Sequence, residues 1–181
     1  MPKGVYERTL KQNTGKYAVS SAHQTPQGEV VVLEKLDTKY LVVRFTATDY
    51  VTKCSTQNLG TGRVKDHRLP SVYGVGYLDG IRVQPRGTEQ RRVYDLWANM
   101  LRRAYAEYTD CRVSREWHSF RTFLNSVCDI PGWEKFQRGE DVHLDKDIRI
   151  PGNREYSLRT CQFVAASENL QDGSRKRWAN R

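Results

Sequence analysis

Nowhere in the 181 residues does an uninterrupted apolar run approach the ~18 positions a membrane-crossing helix needs, so no membrane partner is expected. Met1-Pro2-Lys3-Gly4 has no apolar core behind its basic residue, so a secretory leader is not expected either. Cysteine is scarce. The four present (Cys54, Cys111, Cys128 and Cys161) are scattered without a CxxC pair, which argues against a disulfide framework or a cysteine zinc site. The glycines of Val72-Tyr73-Gly74-Val75-Gly76-Tyr77 lack GxGxxG or GxxxxGK[ST] spacing, so no phosphate-cradling loop and no organic cofactor is expected. Acidic charge is in the minority: 30 Lys and Arg against 21 Asp and Glu leave a net charge of +9. Such an excess points to polyanionic partners. What remains is a basic, cytoplasmic protein whose length suits one domain or two small ones.

The charges change character at Gly80. Residues 1–80 carry 7 Lys and 4 Arg against 7 acids; residues 81–181 carry 3 Lys and 16 Arg against 14. Lys is a hydrated point charge, whereas Arg presents a planar donor fork suited to phosphates and carboxylates. The shift suggests two units. The first, residues 1–66, reads as β. Glu29–Glu34, Tyr40–Phe45 and Tyr50–Cys54 are short β-branched runs separated by turn residues, the pattern of a small barrel or curled sheet. Residues 67–90 hold Pro70, Gly74, Gly76, Gly80, Pro85 and Gly87, too many breakers for a helix, and read as a connector.

The second unit, residues 91–181, opens on a helical stripe. Val93, Leu96, Trp97, Met100, Leu101, Ala104, Tyr105 and Tyr108 recur at steps of three and four, predicting a helix over about 91–108. Trp117, Phe120, Leu124 and Val127 predict another over 114–128, with Ser114 as its N-cap. Both stripes read as core. The fold class expected is α+β: a barrel-like β module, a helical segment, and a C-terminal strand–loop–strand–helix unit over about 141–173.

That last stretch carries the chemistry. On a strand, His143 and Asp145 face one way while Val142 and Leu144 face the other. A loop turns at Pro151-Gly152-Asn153, Cys161 to Ala165 form a second strand, and Ser167 can cap a helix bearing Glu168 and Asn169. Asp141, Asp145 and Asp147 repel one another unless a cation sits among them. Carboxylate and amide oxygens suit one hard divalent cation, Mg²⁺ or Mn²⁺, which keeps open positions for a phosphate. A neutral imidazole beside it can take the proton of an attacking water. Hydrolysis of a phosphodiester follows from those parts.

These residues resemble the HNH (ββα-metal) endonuclease motif, roughly Asp-His-Ile-Asp, an Asn-bearing loop, Asn-Leu-x-Trp-Val-Thr, then Ser-x-Asn. Here the matching pieces are His143-Leu144-Asp145, Asn153, and Thr160 through Asn169. The likeness extends to phage-encoded HNH-type proteins with a small N-terminal β module. It runs through Val64-Lys65-Asp66, Pro70 through Gly76, Tyr94 to Tyr105, Cys111 to Phe120 and Leu144 to Asn169, covering roughly residues 15–170.

The resemblance implies a metal-dependent DNA endonuclease, acting as a monomer or weak homodimer in a bacterial host. Its catalytic residues would be His143, Asp145, Asn153 and Asn169, with Asp145, Asn169 and Asp147 holding one cation per chain. One site per chain implies nicking, with double-strand breaks only through two chains or two events. The motif usually has Asp directly before His, and this chain has Val142 there. Two registers therefore remain. One makes His143 the base; the other aligns Asp145-Lys146 with Asp-His and puts Lys146 at the base position. Lysine beside carboxylates is a poor base, which favours His143. The alternative function is a catalytically degenerate HNH scaffold that binds nucleic acid or acts in host takeover. Double-stranded DNA contacts are expected from Arg102, Arg103, Lys146, Arg154 and the Arg175-Lys176-Arg177-Trp178 cluster, where cations sit beside a stacking ring.

Overall fold

The computed structural model describes residues 15–107 and 110–167, and the chain divides into two compact units, Met1–Leu69 and Pro70–Arg181. The architecture is mixed α and β.

In the first unit four strands follow one another: β1 (Ala22–Thr25), β2 (Gly28–Lys35), β3 (Tyr40–Phe45) and β4 (Val51–Ser55). Each pairs antiparallel with the next. Alternation decides the faces. Val30 and Val32 of β2 and Leu41, Val43 and Phe45 of β3 are buried, and they meet Cys54, Leu59 and Val64 in one small core. A register shift between Val32 and Glu34 bends β2, which turns Leu33 and Glu34 to solvent. Asp37 forms the β2–β3 turn, its Oδ1 accepting the amides of Lys39 and Tyr40 at 2.6 and 2.7 Å. Those bonds hold its carboxyl below the usual range. The short helix α1 (Thr56–Gly60) is capped by Ser55. The expectation was a small barrel or curled sheet; among the described residues the four strands form an open meander and no closed barrel. Closure would require β1 to meet β4, but the four residues of β1 pair only with β2.

From Pro70 onward, the segment read as a connector belongs to the second unit. It makes two tight turns, closed by Val75 N–H to Val72 O at 3.2 Å and Ile81 N–H to Leu78 O at 3.0 Å. Both central residues of each turn, Tyr73-Gly74 and Asp79-Gly80, have positive φ. Val72, Val75, Leu78 and Ile81 then pack on the unit's core. Gly76 permits this close approach, since a Cβ there would lie 2.4 Å from Leu101 Cδ1 and 2.9 Å from Trp97.

Helix α2 (Glu89–Arg102) starts at Thr88, whose hydroxyl accepts the Arg91 amide, and it buries Val93, Trp97, Met100 and Leu101. It widens into a π-helical turn over Arg103–Glu107. The single helix expected over 114–128 is instead three pieces: a 3₁₀ turn (Arg115–His118), α3 (Phe120–Ser126) and a 3₁₀ turn (Val127–Asp129). The interruption is non-local. Tyr77 donates to His118 O and accepts from Phe120 N–H, each at 2.9 Å, holding Ser119 extended between the pieces. Ser119 therefore caps α3, accepting from Thr122, while Ser114 makes no side-chain cap bond.

After α4 (Trp133–Gln137) come β6 (Val142–Asp145), β7 (Glu155–Tyr156) and β8 (Gln162–Ala165). β6 and β8 pair antiparallel, with His143 opposite Val164 and Asp145 opposite Gln162. β7 pairs in parallel with β5 (Arg112–Val113). Phe163 of β8 stacks with Phe136 of α4 at 5.2 Å between ring centroids. The backbone turns helical at Ala166, one residue before the expected cap Ser167. Among the described residues no helix is long and apolar enough to cross a membrane.

Candidate active site

Strand β6 carries His143 and Asp145 two residues apart. Leu144 between them enters the core at 4% exposure, and Asp145 is itself buried at 8%. Carboxylates are seldom buried without partners. Asp145 Oδ1 accepts the backbone amides of Asp147 and Ile148 at 2.8 and 2.7 Å, turning the chain out of the strand. Burial pushes the Asp145 carboxyl above its ordinary range; the two amides oppose that, and neighbouring Asp147 adds to it.

Asn153 fixes the far side of the loop. Its Nδ2 donates to Lys146 O and Glu155 O, both at 2.7 Å, drawing the loop's two limbs together. Those hydrogen bonds shape the loop; the sequence reading names Asn153 both in the catalytic set and as a loop-orienting, structural residue. Thr160, which that reading did not single out, is buried and donates to Glu155 O at 2.7 Å while its Oγ1 accepts the Ser157 amide. Thr and Asn at loop ends are turn signals, and their partners here lie within seven residues along the chain.

His143 lines a partly open cavity of about 260 Å³. Its polar walls are Asn99 of α2, Arg103 of the π-helical turn, His143 and Tyr156 of β7, above the apolar side chains of Met100 and Leu144. Burial drives the Tyr156 hydroxyl up to about 12, with Arg103 beside it pulling the other way. Tyr156 is thus a hydrogen-bonding group, not an acid, at neutral pH. A cation, an imidazole, an amide and a phenol around one cavity suit an oxyanion such as a phosphate.

The expected DNA contacts are dispersed. Arg102 pairs with Glu107 at 2.9 Å. Arg154 is paired with Asp110. Lys146 sits 5.4 Å over the ring of Tyr156, a residue of the cavity's wall, but is not itself among the lining residues. Only Arg103 of this set shares a cavity with His143. Asn169 and the Arg175-Lys176-Arg177-Trp178 cluster lie outside the described residues.

Among the described residues no group of three or more His, Cys, Asp or Glu side chains is placed to hold a metal ion. Asp145 and Asp147, two carboxylates side by side, are the donor chemistry a hard cation suits. Compared with known proteins, the chain matches no protein-family model, no curated protein and no solved structure. Function must be argued from the site. Asn99 and Tyr156 are the residues sequence reasoning missed there. Asn99 sits on the polar side of a helix read as core, and Tyr156 belongs to a two-residue strand too short to show a pattern.

Proposed function

We propose that the second unit is a metal-dependent DNA endonuclease of the HNH type. One observation carries the reading: β6 and β8 pair antiparallel, the chain turns helical directly after β8, and His143 on β6 lines a partly open cavity with Arg103. Strand, loop, strand and helix follow in the order that motif requires. Arg103 and the Asn99 amide would hold the scissile phosphate through charge-assisted hydrogen bonds. His143 accepts a proton from water as the water oxygen forms its bond to phosphorus. The bond from phosphorus to the leaving sugar oxygen breaks, and that oxygen takes a proton from solvent. Asp145, Asp147 and Asn169 are the residues that would hold a cation. Bound there, it would stabilise charge on the phosphate and on the leaving oxygen.

Supercoiled plasmid incubated with Mg²⁺ or Mn²⁺ tests this. The wild-type protein should yield open circles, and EDTA or His143→Ala should abolish them. No relaxation under either cation rejects the reading. A second reading draws on the amides that occupy Asp145 Oδ1 and on the missing three-residue ligand group among the described residues. On that reading the scaffold binds nucleic acid without cutting it. Salt-sensitive DNA binding that survives Asp145→Ala, with no cleavage under any cation, would select it.

A further inference from the structure

Asn99 borders two cavities. One is the His143–Arg103 cavity; the other is an open groove of about 700 Å³ on the neighbouring side of α2, walled by Tyr73, Tyr94 and Ala98 with Asp95 at its edge. Among the described residues the Asn99 side-chain amide makes no hydrogen bond within the protein, so a donor and an acceptor stand free where the two spaces meet. Tyr73 is 45% exposed at the tip of the 72–75 turn and adopts φ +50°, a left-handed conformation that a bulky residue rarely adopts. Tyr94 is held edge-on by Phe120 at 5.3 Å, so its ring is fixed in the groove wall. The Arg91 guanidinium lies 5.4 Å over that ring, and Asp95, the groove's one acid, is neutralised by the same Arg91 at 2.9 Å.

We propose that this groove is a stacking subsite for an unpaired base of DNA, one nucleotide or so along the strand from the phosphate held at Arg103 and His143. The inference rests on the nuclease reading for its second cavity. The exposed Tyr73 ring offers a base a π-face, and the Tyr94 ring, covered by Arg91, walls the groove beside it. The free Asn99 amide can bond a base edge or the linking phosphate. A continuous B-form duplex keeps its bases stacked inside and cannot offer one to a side groove without unstacking it. The substrate class is therefore DNA with an unstacked position beside the cut: a gap, flap, bulge or mismatch.

The test uses the full-length protein in EDTA with two labelled probes, a DNA duplex interrupted by three unpaired thymidines and the same duplex uninterrupted. The interrupted probe should bind about tenfold more tightly, the scale of stacking one base on one ring. Tyr73→Asn should erase that preference while leaving affinity for the intact duplex unchanged, because asparagine tolerates the left-handed turn and keeps it folded. Tyr73→Phe should retain the preference. Equal binding of both probes, a preference that Tyr73→Asn leaves intact, or one confined to an RNA version of the probe overturns the proposal. No cation is present, so a failed plasmid assay leaves this result standing, and the reverse also holds.

Discussion

Asp145 Oδ1 holds two backbone amides, while the charge on the same carboxyl is disfavoured by burial and by Asp147. Two substitutions separate these functions. Asp145→Ala removes the acceptor and strands both amides, which costs about 1–3 kcal/mol; differential scanning calorimetry should show a clear fall in Tm. Asp145→Asn keeps an oxygen for the amides and discards the disfavoured charge. In EDTA its Tm should equal or exceed that of the wild type, although cation-dependent cleavage should vanish. A second residue-scale prediction concerns His118, which accepts or donates a 2.9 Å bond with Tyr105 and whose pKa is lowered by burial. Lowered in the folded state, it gains its proton first in the unfolded chain. Its contribution to stability is thus complete above the ordinary histidine value near 6.5 and is lost as pH falls below it. Tm measured from pH 8 to pH 5 should drop, and the drop should be shallower in His118→Gln.

At the scale of elements, Ser119 joins the 70–88 segment to α3: its hydroxyl accepts the Thr122 amide at 3.2 Å and donates to Asp79 Oδ2 at 3.1 Å. Ser119→Ala removes a helix cap worth ~1 kcal/mol and should lower Tm by a few degrees, with the loss traced to the second unit by hydrogen exchange at α3. Ser114→Ala should do nothing comparable, because Ser114 caps no helix. These two serines mark where the sequence was legible and where it was not. Apolar periodicity located α2, and β-branched runs located β2, β3 and β4, because those signals are local. The same periodicity misread 114–128 as one helix, since backbone bonds from Tyr77, some forty residues earlier, break it at Ser119. The site divides similarly. Alternation puts His143 and Asp145 on one face of β6, but in the structure Asp145 is buried beside Leu144 while His143 lines the cavity; Asn99, Arg103 and Tyr156 line it with His143 only through tertiary packing of α2 and the β5–β7 pair.

For the molecule as a whole, charge is the dominant property. A net +9 with no acidic excess in either half fits the proposed DNA partner, whose binding would then be driven largely by phosphate contacts and counterion release. Affinity for random duplex should fall steeply between 50 and 200 mM salt, with log K linear in log salt, whether or not the site cuts. In the first unit the Lys39 and Lys53 ammonium groups lie 5.3 and 4.5 Å over the Tyr40 ring, a cationic surface with an aromatic centre. Lys39→Glu with Lys53→Glu should weaken duplex binding and flatten its salt slope while leaving the rate of cleavage at saturating DNA unchanged.

The proposed function turns on Asp145, Asp147 and Asn169 holding one divalent cation. Crystals soaked in Mn²⁺ and measured at a wavelength with strong manganese anomalous scattering test it most directly. The account predicts a single anomalous peak per chain against the Asp145 and Asp147 carboxylates, absent in Asp145→Asn. Full Mn²⁺ exposure with no peak there, or a peak that survives Asp145→Asn, would contradict it.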